Sequence, residues 1–228
     1  MIDFRFVSMF YDGFRALHDV SVSVGEGEIT VLVGPNGAGK STMLKIAAGL
    51  LEPSSGEVRL GDGKGLSPGT ARRVVGYLPE NAACYDELTA QENLRYFGSL
   101  RGLRGKELDE RVEKLLKTVD LAGERKLVRD YSKGMRQRLG IAVSLAGKPK
   151  VVLWDEPSSG LDPSGRLLLR DIISSLKKDG ASLLVSSHDL RESALLADRV
   201  CLVYKGEIRF NGKADGPKLE KLYSEVVG

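Results

Sequence analysis

Residues 2–7 and 20–24 alternate apolar and polar side chains, the period-two pattern of strands buried on one face. Residues 29–33 read Ile-Thr-Val-Leu-Val, a near-continuous apolar run that predicts a strand buried on both faces. The run ends in Gly34, a glycine-rich turn follows, and residues 41–51 read as a helix. Beyond it, residues 56–60 and 74–78 predict short strands around a polar, glycine-rich connection at 61–70.

The middle of the chain changes period. Thr89-Ala90-Gln91-Glu92 has the spacing of a capping box and opens a helix that runs through Leu100. Over 106–119, Leu108, Val112, Leu115, Leu116 and Val119 fall on one helical stripe. A third helix is predicted from about Ser132 to Ala146, so residues 85–147 form a helical block without strand signal. Strands return at 151–154, 182–185 and 200–203, and Asp162-Pro163 caps a further helix with proline at its first position. From residue 213 onward the tail reads as an amphipathic helix at best. This order of periods fits an α/β core carrying a helical insertion. The chain reads as one domain, with residues 1–84 and 148–228 as core and 85–147 as the insertion.

Composition removes several classes. With 228 residues, 42% hydrophobic and 29% charged, the chain has a full-sized core and is neither disordered nor fibrous. Lys plus Arg number 34 against 31 Asp plus Glu, so the net charge of +3 does not call for nucleic acid. Two cysteines, Cys84 and Cys201, are too few for a disulfide framework and stand in no metal or redox spacing, so both are expected to be packed thiols in a reducing compartment. Asp3 and Arg5 interrupt the N-terminal apolar residues, so no signal peptide is expected. No apolar run approaches the ~18 residues of a membrane span, and the chain is expected to be soluble by itself.

One segment carries chemistry directly. Gly34-Pro35-Asn36-Gly37-Ala38-Gly39-Lys40-Ser41-Thr42 satisfies G-x-x-x-x-G-K-[ST] between a buried strand and a helix, the context of a phosphate loop. Its glycines let successive N–H groups turn toward phosphate oxygens, and the helix that follows aims its positive end at the same anion. Lys40 supplies a point charge for the β- and γ-phosphates, and the Ser41 hydroxyl can ligate Mg²⁺. Gly63-Lys64-Gly65 has no strand before it and no helix after it, and reads as a turn. The strand at 151–154 ends in Asp155-Glu156, where an idle charge pair would be costly. Asp155 suits a place beside Mg²⁺, and Glu156 can reach a water near the γ-phosphate.

Further motifs narrow the family. Tyr131-Ser132-Lys133-Gly134-Met135-Arg136-Gln137-Arg138 resembles the signature of ATP-binding cassette (ABC) transporter ATPases. Ser159-Gly160-Leu161-Asp162 resembles their D-loop, Val185-Ser186-Ser187-His188-Asp189 their switch histidine, and Gly76-Tyr77-Leu78-Pro79-Glu80 stands in place of their Q-loop. Tyr11 matches the aromatic that stacks on adenine in that family. The resemblance covers almost the whole chain, with the motifs in the family's order and spacing. It implies a P-loop NTPase (RecA-like) core with an N-terminal antiparallel β subdomain and an inserted α-helical subdomain. It also implies ATP and Mg²⁺ as ligands, with Glu156 and His188 catalytic and Ser41, Glu80 and Asp155 at the metal. Ser132, Gly134, Met135 and Asp162 would then meet the ATP held by a second ATPase chain, in a homodimer.

Two positions depart from the family's usual pattern. The signature has Lys133 for Gly and Met135 for Gln, a form that looks like prokaryotic multidrug and antibiotic exporters, and Glu80 replaces Gln. The resemblance implies an ATPase on the cytoplasmic face of the membrane, driving export through a separate integral membrane subunit docked near residues 80–88. Nucleic acid is not expected as a partner. A non-transport ABC ATPase acting on ribosomes or DNA is the alternative, although it would usually carry two cassettes or a long coiled-coil insertion. A small-molecule kinase would leave the Ser132, Asp162 and His188 motifs without a role. Arg136 and Arg138 are assigned no chemistry.

Overall fold

The computed structural model describes residues 1–61, 64–65, 74–213 and 215–228. A six-stranded sheet is built from β3 (Ile29–Val33), β6 (Val75–Leu78), β7 (Val151–Trp154), β8 (Ser182–Ser187), β9 (Arg199–Tyr204) and β10 (Glu207–Gly212), in the order β10-β9-β3-β8-β7-β6. From β9 to β6 neighbouring strands run parallel, and β10 joins antiparallel at the edge. Val33 lies opposite Ser187, and Trp154 lies opposite both Leu78 and Val185. The four strand ends therefore emerge on one edge of the sheet, followed by Gly34, His188, Asp155 and Pro79-Glu80. Carboxyl ends of parallel strands are where open α/β sheets hold ligands.

The pleat divides the interior in two. Along β3, Ile29, Val31 and Val33 enter one hydrophobic cluster and Leu32 the other. Val152 and Trp154 of β7 likewise face away from Val151 and Leu153. The first cluster packs under the helices α2 (Ala90–Leu100), α3 (Gly105–Thr118), α4 (Lys133–Ser144) and α5 (Pro163–Lys178). The second packs under α1 (Lys40–Ala47) and a four-stranded antiparallel sheet of β1 (Ile2–Tyr11), β2 (Phe14–Val24), β4 (Ser55–Leu60) and β5 (Lys64–Gly65), ordered β2-β1-β4-β5. Trp154 is fully buried, and its indole N–H donates to Ser144 Oγ at 2.9 Å, which ties β7 to α4. The described residues also include the helices α6 (Leu190–Leu196) and α7 (Gly216–Val227).

The elements outrun the periodicity at several points. β1 and β2 extend to a hairpin turn at Asp12-Gly13, whereas alternation stops at residue 7 and resumes at 20. Phe6 and Asp19 adopt left-handed backbone, φ 51° and 46°, and the register shifts between Phe4 and Val7 and again before Met9. Each bulge slips the pattern to the other face, so period two is lost in the sequence although the strands continue. α1 stops at Ala47 because Gly49, at φ 69°, turns the chain. Thr89 and Glu92 form the expected reciprocal capping box. The connection at 61–70 lies largely outside the described residues, Gly63 with it, and Lys64–Gly65 within it pair with β4. Among the described residues no helix is long and apolar enough to cross a membrane.

Candidate active site

The phosphate loop is pressed against its neighbours. A Cβ on Gly34 would stand 2.1 Å from Val203 O, and one on Gly39 would stand 2.7 Å from Leu17 Cδ2, so both positions need glycine for close approach. Gly39 also precedes α1 with no side-chain cap, which leaves the first amides of the helix available to an anion. Lys40 is 6% exposed, and its Nζ donates to Gly34 O at 2.7 Å and Pro35 O at 3.1 Å. Burial draws its pKa below the ordinary lysine value, while the carboxylates of Glu156, Asp155 and Glu80 oppose that shift.

The carboxylates leave β7 in two directions. Asp155 is buried, its N–H continues the ladder to Leu78 O at 2.9 Å, and its Oδ1 accepts from Ser186 Oγ at 2.6 Å. Glu156 adopts left-handed backbone at φ 49°, which turns its side chain away from the strand direction. Its N–H donates to the same Ser186 Oγ at 2.9 Å, and its Oε2 lies 2.7 Å from His188 Nδ1. One serine of β8 thus fixes both acids of β7. The His188 side chain is 70% exposed and that of Glu156 13% exposed.

A cleft of about 680 Å³ gathers Tyr11, the loop residues Asn36 to Thr42, Glu80, Asp155, Glu156 and His188. Three more residues line it: Ser159, the first residue of the D-loop-like stretch, and Phe14 and Ala16, which sequence reasoning did not single out. Phe14 is the informative one. It lies directly opposite Tyr11 across the hairpin turn, so the two rings share one face of the ribbon, 39% and 65% exposed for Tyr11 and Phe14. Asp12-Gly13 is a two-residue hairpin signal, and it foretells this pairing. A second cavity of about 650 Å³ lies at the opposite end of the sheet, where Lys150, Val151 and Ser182 begin β7 and β8, and it contains none of these groups.

The remaining candidates gather elsewhere. Ser132 caps α4, its Oγ accepting from Met135 N at 3.2 Å, and Asp162 caps α5, its Oδ1 accepting from Gly165 N at 2.8 Å. That bond, with one from Ser164, holds the Asp162 carboxyl below its usual pKa. Gly134 brings the two caps together, since a Cβ there would stand 3.0 Å from Gly160 O. Ser132, Gly134, Met135 and Asp162 do not line the cleft of their own chain. Gln137, also not singled out by sequence, is buried and donates from Nε2 to Glu156 O and Pro157 O, each at 3.2 Å. It couples the signature helix to the carboxylate turn. Arg136 pairs with Asp86, and Arg138 with Asp120, so both tie segments of the helical block together.

The donor set suits a magnesium–phosphate complex better than a protein cage. Among the described residues no three His, Cys, Asp or Glu side chains converge on one metal position. Ser41, Asp155 and Glu80 nonetheless line the cleft with hard oxygen atoms. Mg²⁺ characteristically takes one or two protein ligands and completes its shell with phosphate and water.

Known proteins share this sequence and architecture. Residues 17–159 match the ABC transporter family. The chain is 38% identical over 212 residues to the ABC transporter ATP-binding protein NatA of Bacillus subtilis, covering 92% of this chain and 84% of NatA. It is 37% identical over 213 residues to the lantibiotic transport ATP-binding protein SrtF of Streptococcus pyogenes, covering 92% and 90%. An uncharacterised ABC transporter ATP-binding protein of Synechocystis is 44% identical over 204 residues, and the chain spans 56% of its length. The solved structure of an ATP-binding subunit of an ABC transporter matches with a TM-score of 0.90 at 33% identity, over 100% of both chains. A dimeric cassette in a post-hydrolysis state, bound to ADP and Pi, matches with a TM-score of 0.84 at 27% identity, over 93% of this chain and 98% of that one. With its phosphate loop, paired acids and His188 on one edge of the six-stranded sheet, the chain belongs to the ABC transporter family, as an ATP-binding cassette and ATPase.

Proposed function

We propose that the chain powers export through a separate integral membrane subunit, by closing on a second ATPase chain around ATP at the cytoplasmic face. The observation that carries this reading is the separation of the candidate residues into two surfaces. One is the cleft with the phosphate loop and Glu156, and the other is the patch of Ser132, Gly134, Met135 and Asp162. Two copies facing each other supply each cleft with the patch it lacks. The names of SrtF and of a daunorubicin resistance relative, DrrA3, support export as the direction.

In this reading the α1 amides and Lys40 bind the triphosphate. Lys40 exchanges the carbonyls of Gly34 and Pro35 for phosphate oxygens. Ser41, Asp155 and Glu80 would hold Mg²⁺, which supplies neutralising charge beside the β- and γ-phosphates. Glu156 orients the attacking water and accepts its proton, while His188 holds the Glu156 carboxylate from the open side of the cleft.

Tyr11 and Phe14 form a two-ring platform for the base. Stacking is worth roughly 1–3 kcal/mol per base, so Phe14→Ala should weaken ATP binding about 5-fold or more, and Tyr11→Ala at least as much. Calorimetry with inorganic tripolyphosphate, which has no base, should register no change for either variant. Equal losses for both ligands would assign the two rings to folding of the hairpin.

Residues 85–147 serve in this reading as a helical subdomain set against the core of 1–84 and 148–228, and the membrane subunit docks where they meet. A groove of about 390 Å³ lies there, lined by Leu50, Tyr77, Pro79, Ala83, Phe97 and Gly140 among others, and Leu50 is 60% exposed. Cys84 is a poor reporter of this contact. It packs against the helical core, and burial pushes its thiol pKa up to about 12. A photocrosslinker at Leu50 should capture a co-expressed membrane subunit. Capture restricted to ribosomal proteins or DNA would replace transport by the non-transport alternative.

A further inference from the structure

The helix after His188 begins Asp189-Leu190-Arg191-Glu192, the spacing of a capping box. Half of the box is made, with Asp189 Oδ1 accepting from Glu192 N at 2.9 Å. The return bond is not. Asp189 N donates to Ser187 Oγ at 3.0 Å instead, and Glu192 turns inward. It is 5% exposed, and neither carboxylate oxygen has a hydrogen-bond partner among the described residues. Such a group is costly to keep from water unless something bonds to it.

Glu192 lines a small space of about 10 Å³ together with Ser158, Ser186, Ser187 and Ser193, walled also by apolar residues such as Val31, Leu169 and Val185. That is on the order of what one water needs, and the Glu192 carboxylate and the serine hydroxyls are the polar partners in an otherwise apolar wall. Three of the four hydroxyls are engaged elsewhere: Ser186 with Asp155, Ser187 with Asp189, and Ser193 with Asp189 O at 2.6 Å. These bonds leave the Ser158 hydroxyl uncommitted, and Ser158 is 8% exposed. Ser158 lies on the turn between Glu156 and Asp162, and Glu192 lies on the helix that follows His188.

We infer that Glu192 is a positioning residue, which through one bound water ties the turn after Glu156 to the helix after His188. The tie holds the two segments whose first residues, Glu156 and His188, meet at 2.7 Å. Glu192 does not line the nucleotide cleft, so its removal acts on turnover and not on ATP binding. The inference rests on the reading of Glu156 and His188 as the catalytic pair, and the two fail differently.

The experiment combines a high-resolution crystal structure of the full chain with steady-state kinetics of Glu192→Gln, Glu192→Leu, Ser158→Ala and the Glu192→Leu/Ser158→Ala double variant. The expected structure has one water within hydrogen-bond distance of Glu192 and Ser158. Glu192→Leu should lower kcat about 10-fold with KM for ATP unchanged, because small misplacements of a reacting group carry such losses. Glu192→Gln, which still bonds to water, should keep most of the activity. The double variant should lose no more than the worse single one, since both remove one bridge. If Glu192→Leu does not fold, Ser158→Ala alone should show the same kcat loss at constant KM. A space without water, or additive losses, or wild-type kcat in Ser158→Ala would overturn the inference. A bound water with normal hydrolysis by Glu156→Gln would instead remove the catalytic reading beneath it.

Discussion

Glu156→Gln is expected to bind ATP with near-wild-type affinity and to stop hydrolysing it. The substitution preserves shape, and the side-chain amide oxygen still accepts from the His188 ring that now lies 2.7 Å from Glu156 Oε2. It also preserves the left-handed backbone at φ 49°, because no branch is added at Cβ. What is lost is the ability to take a proton. Positioned general bases contribute roughly 10²- to 10⁴-fold in rate, or about 3–5 kcal/mol of barrier. Phosphate release should fall by that factor, while nucleotide binding by calorimetry stays unchanged. With product formation blocked, an ATP-bound dimer should accumulate on size exclusion. Hydrolysis near the wild-type rate would move the proton acceptor away from Glu156.

Lys40→Ala and Ser132→Arg chains, each inactive alone, are expected to recover activity when mixed. Lys40 lines the cleft and Ser132 caps α4 outside it, so in a facing dimer one site draws on both chains. A mixed dimer then has one site with both lesions and one with neither. Random pairing at equal amounts makes about half the dimers mixed, so roughly a quarter of all sites is intact. Hydrolysis should rise to about that fraction of wild type, and titration of one chain against the other should peak near equality. Heterodimers shown by tag capture but inactive at every ratio would mean that Ser132 serves a site other than the one proposed.

The phosphate loop and the acidic strand end were legible because their chemistry is local. Gly34, Gly39 and Lys40 are dictated by a loop pressed on β9 and β2, and a strand ending in two carboxylates declares that its end is used. Convergence was legible only by resemblance. Nothing in periodicity tells that β3 lies between β8 and β9 or that β7 lies beside β8, and the second adjacency is what sets His188 beside Glu156. The bulges at Phe6 and Asp19 hid half of β1 and β2, and with them the hairpin that pairs Phe14 with Tyr11. β10 was missed as well, an edge strand in which only Ile208 and Phe210 carry the apolar half of the alternation. Gln137 reads as a polar position on an ordinary helix, and its role depends on two carbonyls supplied by another element. At Glu192 local spacing favoured a capping box, and tertiary packing drew the side chain inward.

The place of β3 in the sheet has a consequence for how the protein comes into being. Ile29 lies opposite Leu183 and Thr30 opposite Arg199, so the strand that ends in the phosphate loop meets both neighbours only after most of the chain has left the ribosome. Helices α2, α3 and α4 draw their contacts from one stretch of chain and can associate earlier. Long-range parallel pairing is slow to form, and apolar strands awaiting partners are prone to stick to other chains. Translation that stops before β8 and β9 therefore leaves β3 with two open edges, and such a fragment is material for chaperones and proteases.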